Sequence, residues 1–381
     1  MQSIKNLVRQ LIVYLMIMTP RKSFNHQNAH KLKGLNLIGP DADRGLGFTL
    51  ESVRQSLKHK LPTHRMCLPT VTKQKSRYAY ESNLFVGSPD MLVHALIRFP
   101  VSPLYHNKNI GLFFWELEKI PHEWLRLRHW LDEIWVQSDF LLNIFKKMSV
   151  PVHKIPFTLN LKINKKLNRK SFKLPQKPFI FLFTFDYLSF YDRKNPEGVV
   201  SAFKKAFGDR ENVYLFIKTT HASSDTTHAR QLKSAIGQSL NIELRDQPLS
   251  NIEQLSLINL CDAYVSLHRS EGLGLGMAEA MALGKPVIAT DYSGNLEFMN
   301  DTNSLLVRHK KINVKKDSYI HSHNQVWAEP DTNHAAQFMK KIKDNKAFRG
   351  KIAKQALMDM RRYTLKNQQQ AILKRLEMSH A

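Results

Sequence analysis

The sequence predicts an α/β protein with two Rossmann-like units, on three observations. First, Ala263 to Thr290 reads as an apolar strand, a glycine-rich helix start, a helix and a second apolar strand, about thirty residues that fit a right-handed parallel crossover. Second, Leu35-Asn-Leu-Ile38 is a short buried strand, ended by Gly39-Pro40, that feeds another glycine-containing helix start at Arg44-Gly45-Leu46-Gly47. Third, Leu159 to Pro178 is polar and basic with prolines near its end, and reads as a solvated linker. At 381 residues, 43% of them hydrophobic, the chain can bury two cores of ordinary size.

Two cysteines, Cys67 and Cys261, give no disulfide framework and suggest a reducing compartment. Lys and Arg number 57 against 32 Asp and Glu, a formal charge of +25. Such a surface attracts nucleic acid, anionic lipid or acidic glycan, and equally describes a soluble protein with scattered lysines. No zinc spacing, RNA-binding aromatic motif or long basic helix supports a specific nucleic-acid partner. Residues 1–34 are a basic lead-in. Their apolar run, Leu11 to Met18, would span about 12 Å as a helix, against roughly 30 Å for a bilayer core. Thr19-Pro20-Arg21-Lys22 is a poor cleavage site. A helix lying in a membrane interface and a helix packed on the domain fit the run equally.

The first unit is expected over residues 35–160. After Gly45 and Gly47, apolar residues recur at helical spacing: Leu46, Leu50, Val53, Leu57 and Leu61. The glycines lack the full dinucleotide-binding spacing, so they either serve an anion or make a tight turn. Residues 66–108 read as short strands and loops, Asn83 to Gly87 the clearest. Asn109 to Leu117 is rich in β-formers and carries Trp115-Glu116 near its end. A helix is expected from Glu123 to about Leu131, a strand and turn over Asp132 to Ser138, and Asp139 as N-cap for Phe140 to Met148. Ligands bind at strand ends in open α/β sheets, which singles out Glu116; a structural salt bridge suits it equally.

Residues 161–178 form the expected linker and 179–360 the second unit. Phe179 to Phe185 is an unbroken apolar strand, buried on both faces. Its loop carries Arg193-Lys194-Asn195-Pro196, and Glu197 to Phe207 is a helix. Asn212 to Ile217 is a strand ending in Lys218-Thr219-Thr220. Arg193, Lys194 and Lys218 stand just beyond strand ends, where cations meet phosphates; surface positions are the ordinary alternative. Helices around His228–Gln238 and Ile252–Asn259 enclose the strand Ile242–Leu244. Trp327-Ala-Glu-Pro-Asp331 precedes the helix Thr332–Lys343. Residues 345–378 look helical and basic, with an apolar stripe that includes Ile352, Leu357, Ile372 and Leu376 and suits core packing.

Ser266 to Leu306 is the most informative stretch. The polar loop His268 to Gly272 leads into Leu273-Gly274-Leu275-Gly276 and a helix, with Gly284 as its C′ stop and Pro286 beyond. Backbone N–H groups at a glycine-rich helix start form an anion site. Glu271 lies in the loop and Glu279 inside the helix, with seven residues between them. A ligand with an anion in the middle and hydroxyls at both ends suits this layout, and a nucleotide-sugar is such a ligand.

The run from Glu271-Gly-Leu-Gly-Leu-Gly-Met-Ala-Glu279 to Thr290 resembles the donor-site signature of retaining glycosyltransferases of family 4. Gly45-Leu46-Gly47, Asp132-Glu-Ile-Trp135, Arg193-Lys-Asn-Pro196 and Trp327-Ala-Glu-Pro-Asp331 resemble a bacterial subgroup of it. The resemblance implies a GT-B fold: two Rossmann-like domains facing across a cleft, the first for the acceptor and the second for the nucleotide-sugar. The last helix, in residues 361–381, would cross back onto the first. It implies that Glu279 holds the ribose, that Glu271 contacts sugar hydroxyls, and that the amides of Gly272, Leu273, Gly274, Leu275 and Gly276 serve sugar and diphosphate. Arg193 and Lys194 would neutralise the leaving group, and Gly47 would lie against the phosphates. Lys218 and His268 join the donor side, and Glu116 is the acceptor-side catalytic candidate. No metal or further cofactor is implied; Asp41-Ala-Asp43 is a metal-type pair by letters, but in the wrong domain. Two departures stand out. Ser189 occupies a place where many members carry Arg, and Trp115-Glu116 a region where many carry His.

The expected activity is therefore retaining transfer from a nucleotide-sugar to a glycan or lipid-linked acceptor, in the synthesis of a cell-surface polysaccharide such as lipopolysaccharide. The expected place is cytoplasmic, with the basic surface at an anionic inner membrane. The alternatives are a basic nucleic-acid- or membrane-binding protein and a GT-B nucleotide-sugar epimerase.

Overall fold

The computed structural model describes residues 32–40, 45–68, 78–98 and 102–378. The apolar run Leu11 to Met18 and the Asp41-Ala-Asp43 pair lie outside the described residues. The rest divides into two compact units: one takes residues up to 115, 119–158 and those from 363 on, the other residues 116–118 and 159–362.

In the first unit six parallel strands form one sheet: β1 (Leu35–Gly39), β2 (Thr63–Cys67), β3 (Ser82–Gly87), β4 (Lys108–Phe113), β5 (Glu133–Val136) and β6 (Val152–Lys154). Their order is β2-β1-β3-β4-β5-β6. Every residue of β1, β3, β4 and β5 is buried, as central strands covered on both faces must be. The helix Gly45–Leu57 turns Leu50, Val53 and Leu57 into the core. The last helix, Leu365–Met378, packs on this unit, as the resemblance implies. Its Ile372 and Leu376 enter the same core, and Arg375 pairs with buried Glu133 at 2.6 Å. Lys108 meets that carboxylate at 2.5 Å, so two cations offset its desolvation.

Several local expectations change. His122–Trp130 is a 3-10 helix: Trp124, Leu127 and Trp130 are all buried, and a period of three keeps them on one side. Ser138 rather than Asp139 caps the helix Asp139–Phe145, its hydroxyl accepting from the Leu141 N–H. Asp90–Arg98 and Ser102–His106 are helices where the sequence reading has strands and loops. Residues 161–178 are mostly exposed but group with the second unit. Arg169 pairs with Asp262 at 2.7 Å and donates to the carbonyls of Leu260, Gln176 and Pro178. The Asn164 N–H donates to Ser256 Oγ. Leu357, placed on the apolar stripe, is exposed, whereas Ile352, Ala356 and Met360 are buried.

The second unit has six parallel strands: β7 (Phe179–Asp186), β8 (Val213–Thr220), β9 (Ile242–Asp246), β10 (Ala263–Ser266), β11 (Val287–Thr290) and β12 (Leu305–Val307). They run in the order β9-β8-β7-β10-β11-β12. The chain order reverses between β7 and β10. At such a reversal the loops leaving the two strands diverge and open a crevice at their carboxyl ends. A separate antiparallel hairpin pairs β13 (His309–Asn313) with β14 (Val326–Pro330), and Asp331 follows it. The Asp331 carboxylate caps the helix Thr332–Asp344.

Candidate active site

The loop after β7 and the loop after β10 carry the charged groups. Beyond β7 the chain passes through a 3-10 turn, Tyr187–Ser189, and one helical turn, Tyr191–Lys194. Non-glycine residues at positive φ flank the helical turn, Phe190 at 66° and Asn195 at 52°. For Phe190 this conformation costs on the order of 1–3 kcal/mol. Asn195 tolerates it better, because its amide bonds locally. That amide accepts from the Gly198 N–H as N-cap and donates to the Leu267 carbonyl at 2.9 Å, which ties the β7 loop to the end of β10. Pro196 then opens the helix Pro196–Phe207, where its missing N–H is no loss.

The β10 loop is fastened by the segment after β11. Thr290 Oγ1 donates to the His268 carbonyl at 2.6 Å, and Ser293 Oγ accepts from the Glu271 N–H at 2.8 Å. The Gly294 N–H donates to the Glu271 carbonyl at 2.8 Å. A Cβ on Gly294 would fall 2.0 Å from the Gly272 carbonyl oxygen, so the close approach demands glycine. His268 is fully buried. Its Nε2 faces two acceptors, Asn295 Oδ1 at 3.1 Å and the Tyr292 carbonyl at 3.3 Å, so Nε2 bears the proton and Nδ1 accepts from Ser266 Oγ. Burial lowers the imidazole pKa and keeps the ring neutral.

Together the two loops assemble an ionic cluster. Lys194 Nζ donates to Glu271 Oε1 at 2.5 Å, and Arg193 Nη1 meets Oε2 at 3.1 Å. Arg193 is 4% exposed. It also donates to the Ser270 carbonyl and, through Nε and Nη2, to the Ser189 carbonyl. Glu116 stands 4.0 Å from Arg193. Burial would raise the Glu271 carboxyl, but the charges of Arg193 and Lys194 prevail and hold it well below the usual carboxylate range. Burial lowers the Lys194 ammonium against the pull of Glu271.

The other end of the stretch is different. Gly274, at φ 90°, leads into the helix Leu275–Ala282. Among the described residues, the N–H groups of Leu273, Gly274, Leu275 and Gly276 have no acceptor. A Cβ on Gly276 would come 2.8 Å from Tyr264 Oη, which itself lies 2.8 Å from Thr184 Oγ1 on β7. Thr184 is the β7 partner of Lys218 on β8. Lys218 is 8% exposed, and burial lowers its ammonium. Glu279 acts electrostatically on Tyr264 but has no compensating cation among the described residues, and burial pushes its carboxyl up to about 7.

Of the expected residues, Glu271, Arg193, Lys194 and Glu116 thus form one cluster, while Glu279, Gly276 and Lys218 gather about Tyr264 and Thr184. His268 belongs to neither group. Both its ring nitrogens are engaged within the loops, where it braces the β10 loop. Arg193 is turned inward as well, and its guanidinium reaches back to Ser189, leaving Lys194 the more accessible cation. Gly47 is buried in its helix in the first unit. Sequence reasoning missed Thr184, Tyr264, the Ser293-Gly294-Asn295 brace and Tyr319. For the brace, a Ser-Gly-Asn run shortly after a strand is the readable signal; the others gave none. Among the described residues no group of three or more His, Cys, Asp or Glu is arranged to hold a metal ion.

Residues 164–349, within the second unit, match the family model of glycosyl transferases group 1. The matched residues contain the whole cluster except Glu116. No curated protein matches the chain by sequence. Solved structures match it by fold. Pneumococcal O-GlcNAc transferase GtfA, in complex with UDP and GlcNAc, gives a TM-score of 0.56 at 13% identity over 78% of this chain. The chain spans only 57% of GtfA's length. HepE of Anabaena, in complex with UDP and glucose, gives 0.66 at 12% identity, covering 91% of this chain and 100% of HepE. Sucrose-phosphate synthase from Thermosynechococcus elongatus gives 0.67 at 14% identity, covering 92% and 100%. At such identities the likeness is one of fold, and the fold is GT-B, with two parallel-sheet Rossmann-like domains.

Proposed function

We propose that this protein is a retaining glycosyltransferase of family 4 that moves a sugar from a nucleotide-sugar to a glycan or lipid-linked acceptor. One observation carries the reading. A charge-compensated Glu271 and an uncompensated Glu279 flank amides without acceptors on one glycosyltransferase domain. Hydroxyl donors from a ribose would lower the raised Glu279 carboxyl and supply the bonds it lacks. The Leu273–Gly276 amides and Lys194 suit a diphosphate, whose charge grows as the sugar departs; fixed dipoles and cations aimed there are the main catalytic term. No metal is needed in this scheme. We assign Glu116 to holding Arg193 rather than to the acceptor. GtfA and HepE each bind UDP, which favours a UDP-sugar donor.

The acceptor side belongs to cell-surface polysaccharide synthesis in this reading. The +25 charge suits work at an anionic inner-membrane surface. Among the described residues no helix is long and apolar enough to cross a membrane. The test is a thermal-shift panel of UDP-, GDP-, ADP- and dTDP-sugars, followed by NMR of the product's anomeric configuration. Stabilisation by one donor class and a product that keeps the donor's configuration are expected. An inverted product would remove retention; no binding and no turnover with any donor would remove the function.

A further inference from the structure

The segment bearing Arg193 and Lys194 is held by an element that the reaction does not otherwise use. Residues 314–325, between β13 and β14, place two side chains against it. Ser318 Oγ donates to the Asp192 carboxylate at 2.5 Å. The Tyr319 ring packs on Phe190 with centroids 4.4 Å apart, and its hydroxyl donates to Glu116 at 2.5 Å. Tyr319 is 6% exposed. Burial raises its hydroxyl pKa well above the usual value, so the proton stays on the tyrosine. The base of the hairpin adds a second hold. Arg269 pairs with Glu329 on β14 at 2.8 Å and donates to the Asp192 carbonyl, and its N–H donates to the Arg193 carbonyl at 2.7 Å.

Phe190 is where such support is needed. With φ 66° and ψ 105° it occupies backbone space that a phenylalanine rarely adopts. A disfavoured conformation persists only where its surroundings over-determine it. Relaxation there would re-aim the next four residues, which end in Lys194, and loosen the contact with Glu271.

We propose that Tyr319 is a positioning residue for transfer: its ring keeps Phe190 in that conformation, and its hydroxyl, through Glu116, steadies Arg193, so that Lys194 and Glu271 are set before donor binds. The proposal rests on the transferase reading. Its benefit is preorganisation, which acts on turnover more than on ground-state affinity.

Hydrogen exchange on the donor-free full chain tests it, beside donor kinetics, for Tyr319→Ala and Tyr319→Phe. Tyr319→Ala speeds amide exchange within residues 189–195 about tenfold or more and leaves β7, β8 and β10 unchanged. Its kcat falls ten- to a hundredfold, while the donor KM stays within about threefold. Tyr319→Phe keeps the ring and so recovers most of the protection, with kcat down a few-fold. Unchanged exchange at 189–195, a uniform rise across the unit, or a loss confined to KM would each overturn the proposal. Should Tyr319→Ala not fold, Tyr319→Phe decides: loss of the hydroxyl must still speed exchange at 189–195 a few-fold, and unchanged exchange there overturns the proposal. A wild-type chain inactive with every nucleotide-sugar sinks the transferase reading, while the exchange experiment still decides whether Tyr319 holds the loop.

Discussion

Lys194 and Glu271 are in contact at 2.5 Å, and the same carboxylate answers Arg193 at 3.1 Å. One acid therefore pairs with two mostly buried cations, and Glu116, 4.0 Å from Arg193, supplies the second negative charge. Removing Glu271 takes the close partner from both and leaves Glu116 alone to offset them, which costs more than the pair itself is worth. Glu271→Ala should destabilise the protein by about 3–5 kcal/mol, read by urea denaturation. Lys194→Met combined with Glu271→Gln should recover part of that, because acid and cation then leave together.

The pH dependence of that contribution follows from its sign. The Glu271 carboxyl is held below its unfolded value, so its stabilisation is present above about pH 4.5. It stays flat through neutrality and fades only in strong acid. A fall in Glu271-dependent stability between pH 8 and pH 6 would contradict the cluster.

Glu279 has the opposite sign. Its folded pKa, raised to about 7 from 4.5, lies above the unfolded value. Ionisation then favours the unfolded chain, so stability is greatest in mild acid and declines as pH rises from about 4.5 to 7, by up to about 3 kcal/mol. Glu279→Gln should flatten this slope in thermal melts between pH 5 and 8. Donor affinity should run the other way in the wild type and rise with pH through 7, because hydroxyl donors need the carboxylate. Glu279→Ala should weaken donor binding by about 1.5–3 kcal/mol by calorimetry.

Two glycines separate packing from propensity. A Cβ on Gly294 would meet the Gly272 carbonyl at 2.0 Å, whereas one on Gly350, in the helix Lys346–Met360, would meet nothing within 4 Å. Gly294→Ala should therefore cost about 1–3 kcal/mol and displace the Glu271 loop, lowering turnover. Gly350→Ala should add about 0.5–1 kcal/mol through helix propensity alone. Equal melting shifts in the two variants would refute the close approach at Gly294.

Much of the second unit's architecture was legible because periodicity and glycine punctuation are local. Phe179 to Phe185 and Ala263 to Ser266 are apolar runs of strand length, and Gly274, Gly284 and Pro286 mark helix ends. The two-acid spacing around a glycine-rich helix start also reads directly. What could not be read depends on pairings distant in sequence. Arg169 with Asp262 turns a charge run, read as a linker, into part of the second unit. The bond His268 Nε2 donates to Asn295 Oδ1, twenty-seven residues on, is likewise invisible in the sequence. The 3-10 period of Trp124, Leu127 and Trp130 passes for an α-helix when only the apolar residues are counted. Tyr319 carries no local signal, because its significance lies in Phe190 and Glu116.

The two adjacent cations offer the sharpest separation of roles. Arg193 is 4% exposed, with its guanidinium spread over Ser189, Ser270 and Glu271. Lys194 makes one ion pair among the described residues, with Glu271, through a side chain 18% exposed. Lys194→Ala leaves Glu271 paired with Arg193, so stability should change little while kcat falls about 10²–10³-fold, the worth of one charge aimed at a developing anion. Arg193→Ala leaves the carbonyls of Ser189 and Ser270 without their donor and Glu271 half-compensated. It should lose about 3 kcal/mol or more of stability together with activity. Measuring melting temperature and kcat on the same preparations decides the matter. If Arg193→Ala folds as well as the wild type and loses only turnover, Arg193 contacts the donor after all, and Lys194 is not the principal cation.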